Sequence, residues 1–221
     1  MKLEPDSNLM DGYEQALRIA KAEFVTRDFE QIARDSGAIF DSTLHELSLV
    51  YLNRNYRIDC ATGIAAVAED STEAIPTTVN ALLLHYLLNS KPASLTGRLI
   101  SFRDVKGGGR NYFPTFEKRA IFPLLKMFGE QPELLSKSGA SLGGEPKTLG
   151  DASIKINVLP RIPVIYSVCE GDEEMPASAN ILFDENISLL LPCEDVVLAA
   201  SFGVYELMKQ AQIIKKGLNS K

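Results

Sequence analysis

The chain has 221 residues, of which 45% are hydrophobic and 24% charged, and this ordinary globular usage excludes disorder of the whole chain. The formal charge of −6 excludes a uniformly basic, nucleic-acid-binding surface, because phosphate contacts need Lys and Arg. A chain of this size buries enough apolar surface for one core, so a single domain over residues 1–221 is the expectation.

Residues 1–9 read as a loose tail. Met1-Lys2-Leu3-Glu4-Pro5-Asp6 is polar and acidic with no apolar run behind it, so no secretory leader is expected. From Asp11 the period becomes helical, with Tyr13, Ala16, Leu17, Ala20 and Phe24 on one face and Glu14, Arg18 and Lys21 on the other. Asp28 reads as an N-cap for a short helix ending at Gly37. An apolar run over 47–52, then Tyr56, Ile58 and Cys60 alternating with Arg57 and Asp59, predicts a hairpin turning at Asn53-Arg54-Asn55. Residues 61–73 are small and polar and carry no clear period.

Pro76 opens the next helix at a position where a missing N–H costs nothing. Val79, Leu82, Leu83, Leu84, Tyr86, Leu87 and Leu88 cover nearly all its sides, which marks it as the centre of the core. This stretch is also the most apolar of the chain, yet it is about half the length that spans a bilayer, so no membrane partner is expected. Asn89-Ser90-Lys91-Pro92 stops it. A strand over 98–105, a glycine loop over 106–110 and a helix over 114–128 follow, then a further helical turn over 131–138. Gly139, Gly143, Gly144, Pro146 and Gly150 make 139–150 the best candidate for a mobile loop. Ile154, Ile156 and Val158 alternate as a half-buried strand, 163–169 and 179–183 read as two more, and a long helix closes the chain. Glu194 and Asp195 suit its first turn, and Lys209, Lys215 and Lys216 its last, before a loose end over 215–221. Short connectors between strands imply antiparallel pairing. The fold class is therefore α+β, an antiparallel sheet of short hairpins packed with helices.

Several of these segments carry a family resemblance. Leu83-Leu84-His85-Tyr86-Leu87-Leu88 is followed by Leu95-Thr96-Gly97-Arg98-Leu99-Ile100-Ser101-Phe102-Arg103. Pro160 and Pro163, Glu170-Gly171-Asp172-Glu173-Glu174, and Ile181-Leu182-Phe183-Asp184 come later. Together they resemble an uncharacterised family of domains of unknown function, number 3786, found mostly in anaerobic bacteria and archaea. The likeness runs from the first helix to the last. Some members carry an added iron–sulfur module with clustered cysteines. This chain has no such cluster, so the resemblance implies no metal, and the family supplies no catalytic residue.

Charge is unevenly distributed. Residues 76–130 hold 8 basic and 3 acidic side chains, net +5, while 1–75 is net −7 and 131–221 net −4. Within the basic stretch lies Lys106-Gly107-Gly108-Gly109-Arg110. Adjacent glycines let backbone N–H groups turn toward an anion, and a helix N-terminus following them adds positive potential. Arg103, Lys106, Gly107, Gly108, Gly109 and Arg110 are thus the candidate ligand-binding residues, with a small anion as ligand. The spacing matches neither the P-loop nor the dinucleotide fingerprint, and a flexible turn with solvated charges is the competing account. The acidic turn at Glu170, Asp172, Glu173 and Glu174 lacks EF-hand spacing. His45 and His85 are the only histidines, and no nucleophile elbow or zinc-protease motif is present. Tyr112, Phe113 and Phe116 beside the basic stretch would suit single-stranded nucleic acid, but core packing accounts for the two phenylalanines equally well and the net charge argues against it. Cys60, Cys169 and Cys193 are odd in number and far apart, consistent with reduced thiols in a cytoplasm. The readings in order are a non-catalytic cytoplasmic ligand-binding or accessory domain, an enzyme acting on an anionic small molecule beside Gly107–Gly109, and a protein–protein interaction module, with a homodimer as one form. No catalytic residue and no cofactor is named.

Overall fold

The computed structural model describes residues 7–92 and 94–219. The fold is α+β, built on two antiparallel sheets, and the chain divides into two compact units. One comprises Met1–Val50 and Arg54–Ala93; the other comprises Tyr51–Asn53 and Ser94–Lys221. Of the two tails, residues 1–6 and 220–221 lie outside the described residues.

The first unit holds α1 (Ser7–Phe24), α2 (Phe29–Ser36), α3 (Thr77–Asn89) and a four-stranded meander. Its strands are β1 (Ile39–Asp41), β2 (Glu46–Tyr51), β3 (Arg54–Asp59) and β4 (Ala65–Val67), in that order. Asp28 caps α2 by accepting from Gln31 N–H at 3.0 Å, and Gly37 ends it with φ +79°. The turn between β2 and β3 is tighter than the sequence suggested. Leu52 and Asn53 both take positive φ, +46° and +61°, as a two-residue hairpin turn demands, and Arg54 already belongs to β3. α3 is buried on nearly every side: Ala81, Leu82, Leu83, Leu84 and Tyr86 have no exposed surface. Its polar atoms are satisfied inside. Asn80 donates to the Gly63 carbonyl at 3.0 Å and accepts from Ala65 N–H at 3.2 Å, and the Tyr86 hydroxyl donates to the Ser36 carbonyl at 2.5 Å. That satisfaction offsets the several kcal/mol that an unpaired buried polar group costs.

The second unit holds a five-stranded sheet in the order β5-β9-β8-β7-β6. The strands are β5 (Leu99–Ser101), β6 (Glu145–Pro146), β7 (Ala152–Leu159), β8 (Ile162–Cys169) and β9 (Ser178–Asp184). The helices are α4 (Gly109–Phe116), α5 (Phe122–Phe128), α6 (Pro132–Ser141), α7 (Ile187–Leu190) and α8 (Cys193–Asn219). α6 and β6 both lie within the glycine-rich stretch 139–150 or its approach. α4 passes into α5 through a wide turn at Glu117–Ile121, where Phe122 N–H reaches back five residues to the Glu117 carbonyl. Pro123 follows at once and has no N–H with which to continue the ladder. Of the apolar stripe that helical spacing predicts on α8, Val197, Ala200, Val204, Leu207 and Ala211 are buried, while Ile214, near the helix end, is only half-buried. Gly203 sits on that helix against β8. A Cβ there would fall 1.8 Å from the Tyr166 hydroxyl, so a helix-disfavoured residue is kept where the helix must approach a fully buried tyrosine.

Candidate functional site

The strand expected over 98–105 stops at Ser101. The Ser101 hydroxyl donates to Asp104 Oδ2 at 2.7 Å, and Phe102–Asp104 turn as a single 3₁₀ turn. Phe102 is thereby directed into the core, where it stacks on Phe116 at 4.1 Å with ring planes 4° apart.

The glycines that follow have local explanations. Gly108 takes φ +135°, which only glycine adopts without strain, and a Cβ on Gly109 would fall 2.2 Å from the Phe102 carbonyl oxygen. Gly109 N–H donates to the Val105 carbonyl at 3.1 Å, and α4 begins at Gly109 rather than at Pro114. Lys106 N–H donates to Ser188 Oγ at 3.0 Å. Two of the loop's backbone donors are thus engaged within the protein.

The six candidate residues do not converge. The Arg103 guanidinium lies 3.8 Å over the Phe113 ring. Arg110 is exposed on the first turn of α4. Lys106 alone lines a surface cleft of about 330 Å³, together with Arg98, Leu99, Ile100 and Ser101 of the β5 region, Asp104, and the Glu185 and Ser188 side of the β9–α7 corner. Arg98 and Glu185 form an ion pair at 3.3 Å, and Ser101 engages Asp104. Lys106 has no ion-pair partner among the described residues. The cleft's four charged side chains, Arg98, Asp104, Lys106 and Glu185, sum to zero, and Lys106 is the cation among them that no carboxylate holds in an ion pair.

One buried carboxylate builds the corner. Asp184, 5% exposed, accepts from Thr96 N–H at 3.1 Å, Thr96 Oγ1 at 3.0 Å and Asn186 N–H at 3.1 Å through Oδ1, and from Gly97 N–H at 2.8 Å through Oδ2. Burial pushes this carboxyl up, but the Thr96, Asn186 and Gly97 donors outweigh it and hold it below the usual carboxylate range. Asn186 adds a bond from Nδ2 to the Ser94 carbonyl at 3.1 Å. Thr96-Gly97-Arg98 and Phe183-Asp184, far apart in sequence, meet here, and Arg98 and Glu185 are delivered to the cleft as a consequence.

Elsewhere the chemistry is quiet. Cys60 is buried, and burial, reinforced by the Asp59 and Glu46 charges, pushes its thiol up to about 11. Cys193 is buried and raised by burial and by Glu194; Cys169 is exposed. His45 stacks edge-on against Phe29 at 5.4 Å. Among the described residues no group of three or more His, Cys, Asp or Glu side chains is placed to hold a metal ion, and no helix is long and apolar enough to cross a membrane.

The chain belongs to the family described as Domain of unknown function (DUF3786), whose model matches residues 28–206. No curated protein matches it. No solved structure does either.

Proposed function

We propose that the protein is a non-catalytic, cytoplasmic ligand-binding domain of anaerobic bacteria or archaea, and that a small anionic ligand occupies the cleft beside β5. The observation that carries the reading is Lys106, a cation without a carboxylate partner in a concave, polar site. At about 330 Å³ the cleft is at the low end of ligand-site volumes, which suits a small ligand or a small part of a larger one. Arg98 contributes less, because Glu185 already pairs with it, and the Ser188 hydroxyl offers an additional donor. Binding fits the cleft better than catalysis. Its lining holds no histidine and no cysteine, and the Ser101 hydroxyl has a carboxylate beside it but no imidazole to relay a proton. The three free cysteines suit a reducing compartment.

Thermal unfolding in phosphate against chloride at matched ionic strength tests this. Binding to the folded state raises the melting temperature by mass action, and matched salt removes general screening. Phosphate should stabilise the parent and Arg110→Ala but not Lys106→Ala. Equal responses to phosphate and chloride, or an unchanged response in Lys106→Ala, would refute the reading.

A further inference from the structure

The open side of β5 carries hydrogen-bonding groups that a simple anion leaves unused. β5 is the outermost strand of its sheet, paired with β9 alone. Glu185 N–H donates to the Arg98 carbonyl at 2.9 Å, and the register pairs Leu99 with Asp184, Ile100 with Phe183 and Ser101 with Leu182. Hydrogen-bonded and non-hydrogen-bonded pairs alternate along an antiparallel ladder. The Arg98 carbonyl and the backbone groups of Ile100 therefore face β9, the Arg98 N–H donating instead to Thr96 Oγ1 at 3.2 Å, while the N–H and C=O of Leu99 and Ser101 turn away from it. The Ser101 C=O is taken up by the 3₁₀ turn that follows it, which leaves the Leu99 N–H and C=O and the Ser101 N–H as the outward groups without a protein partner among the described residues.

Leu99 and Ser101 are also cleft residues. The N–H and C=O of Leu99 and, two residues and about 7 Å further on, the N–H of Ser101 are the complement of another extended backbone. Leu99, 45% exposed, offers an apolar contact, and Lys106 offers a cation. We propose that the occupant of the cleft is an extended acidic peptide, which adds to β5 as a sixth strand, pairs with Leu99 and Ser101, and sets a carboxylate against Lys106. This rests on the cleft being the ligand site and names the ligand's class. A second copy fits less well. A three-residue edge about 10 Å long falls far short of the roughly 1,200 Å² that a stable dimer buries, whereas strand addition of a peptide works at that scale.

Fluorescence anisotropy with a blocked, dye-labelled peptide of alternating valine and glutamate tests the proposal. Leu99→Pro is the discriminating variant. It removes an N–H that the ladder does not use, at an edge where proline is tolerated. The expected result is saturable binding below about 1 mM, weakened about tenfold or more by Leu99→Pro, by Lys106→Ala and by N-methylation of alternate peptide nitrogens, since each removes a bonding group or the paired charge. If Leu99→Pro loses its cooperative melting, the N-methylated peptide decides alone. Equal binding of the N-methylated and parent peptides, or no binding, overturns the proposal. So does a dimer in native mass spectrometry that Leu99→Pro breaks and that excludes the peptide. Phosphate stabilisation through Lys106 without peptide binding overturns strand addition alone and leaves the anion site standing. Loss of both responses removes both readings.

Discussion

Replacing Gly203 with alanine sets two effects of opposite sign against each other. Alanine is favoured over glycine inside a helix by about 0.8–1.0 kcal/mol, so helix propensity alone makes the variant more stable. The new methyl carbon, however, would fall 1.8 Å from the Tyr166 hydroxyl and 2.7 Å from its Cζ. Tyr166 has no exposed surface and is held on β8 between Ile154 and Ile181 in the register. Relief therefore needs a shift of well over 1 Å by a large side chain in a filled core or by α8 itself. Overpacking of that kind costs about 1–3 kcal/mol or more, so Gly203→Ala should destabilise by roughly 1–2 kcal/mol net. Urea denaturation at equilibrium measures it. Tyr166→Phe removes the closest atom, so alanine at 203 should cost less in that background, a coupling expected of touching residues. A gain of about 1 kcal/mol in the single variant, as propensity predicts, would show that α8 does not approach β8 as described.

Other perturbations read other parts of the molecule. Leu84→Ala removes a fully buried side chain from the all-round apolar α3 and should cost about 2–5 kcal/mol in chemical denaturation; a loss under about 0.5 kcal/mol is the size expected of a surface site and would contradict its placement. Asp184 has a depressed carboxyl, so the unfolded chain takes up a proton near pH 4 before the folded protein does. Its stabilising contribution is present above that pH and is lost as the pH falls through the lower folded value. Asp184→Asn should flatten this acid limb of the stability curve, and an unchanged limb would show that its four hydrogen bonds carry no such weight. With Cys60 and Cys193 buried and raised and Cys169 exposed, Ellman's reagent at neutral pH should label Cys169 quickly and the other two only on unfolding; rapid loss of all three thiols would contradict the burial.

The parts legible in the sequence are those whose pattern is local. The apolar α3, the alternation of Ile154, Ile156 and Val158 in β7, the Asp28 and Gly37 caps and the α8 stripe each declare themselves within a few turns or residues. β4 is the three residues Ala65–Val67, too short and too small to show a period, and is held by Asn80 from a distant helix. The start of α4 is hidden because Gly109 reads as part of a loop and Pro114 as the opening of a helix. The glycine is required by the nearby Phe102 carbonyl, a tertiary fact with no sequence signature. For the site, the glycine loop drew attention to Lys106 and its neighbours, and the structure carries only Lys106 into the cleft. Arg98 and Glu185 belong to segments that the Asp184 corner brings together across more than 80 residues, which spacing alone cannot reveal.

The most direct test of a ligand cleft beside β5 is amide chemical-shift mapping of the isotope-labelled protein titrated with phosphate, against a chloride titration at the same ionic strength. The largest phosphate-specific shifts should fall on Ser101, Lys106 and Ser188 and vanish in Lys106→Ala. Shifts centred instead on Arg103 and Arg110, or shifts that chloride reproduces, would contradict the assignment of the cleft as the binding site.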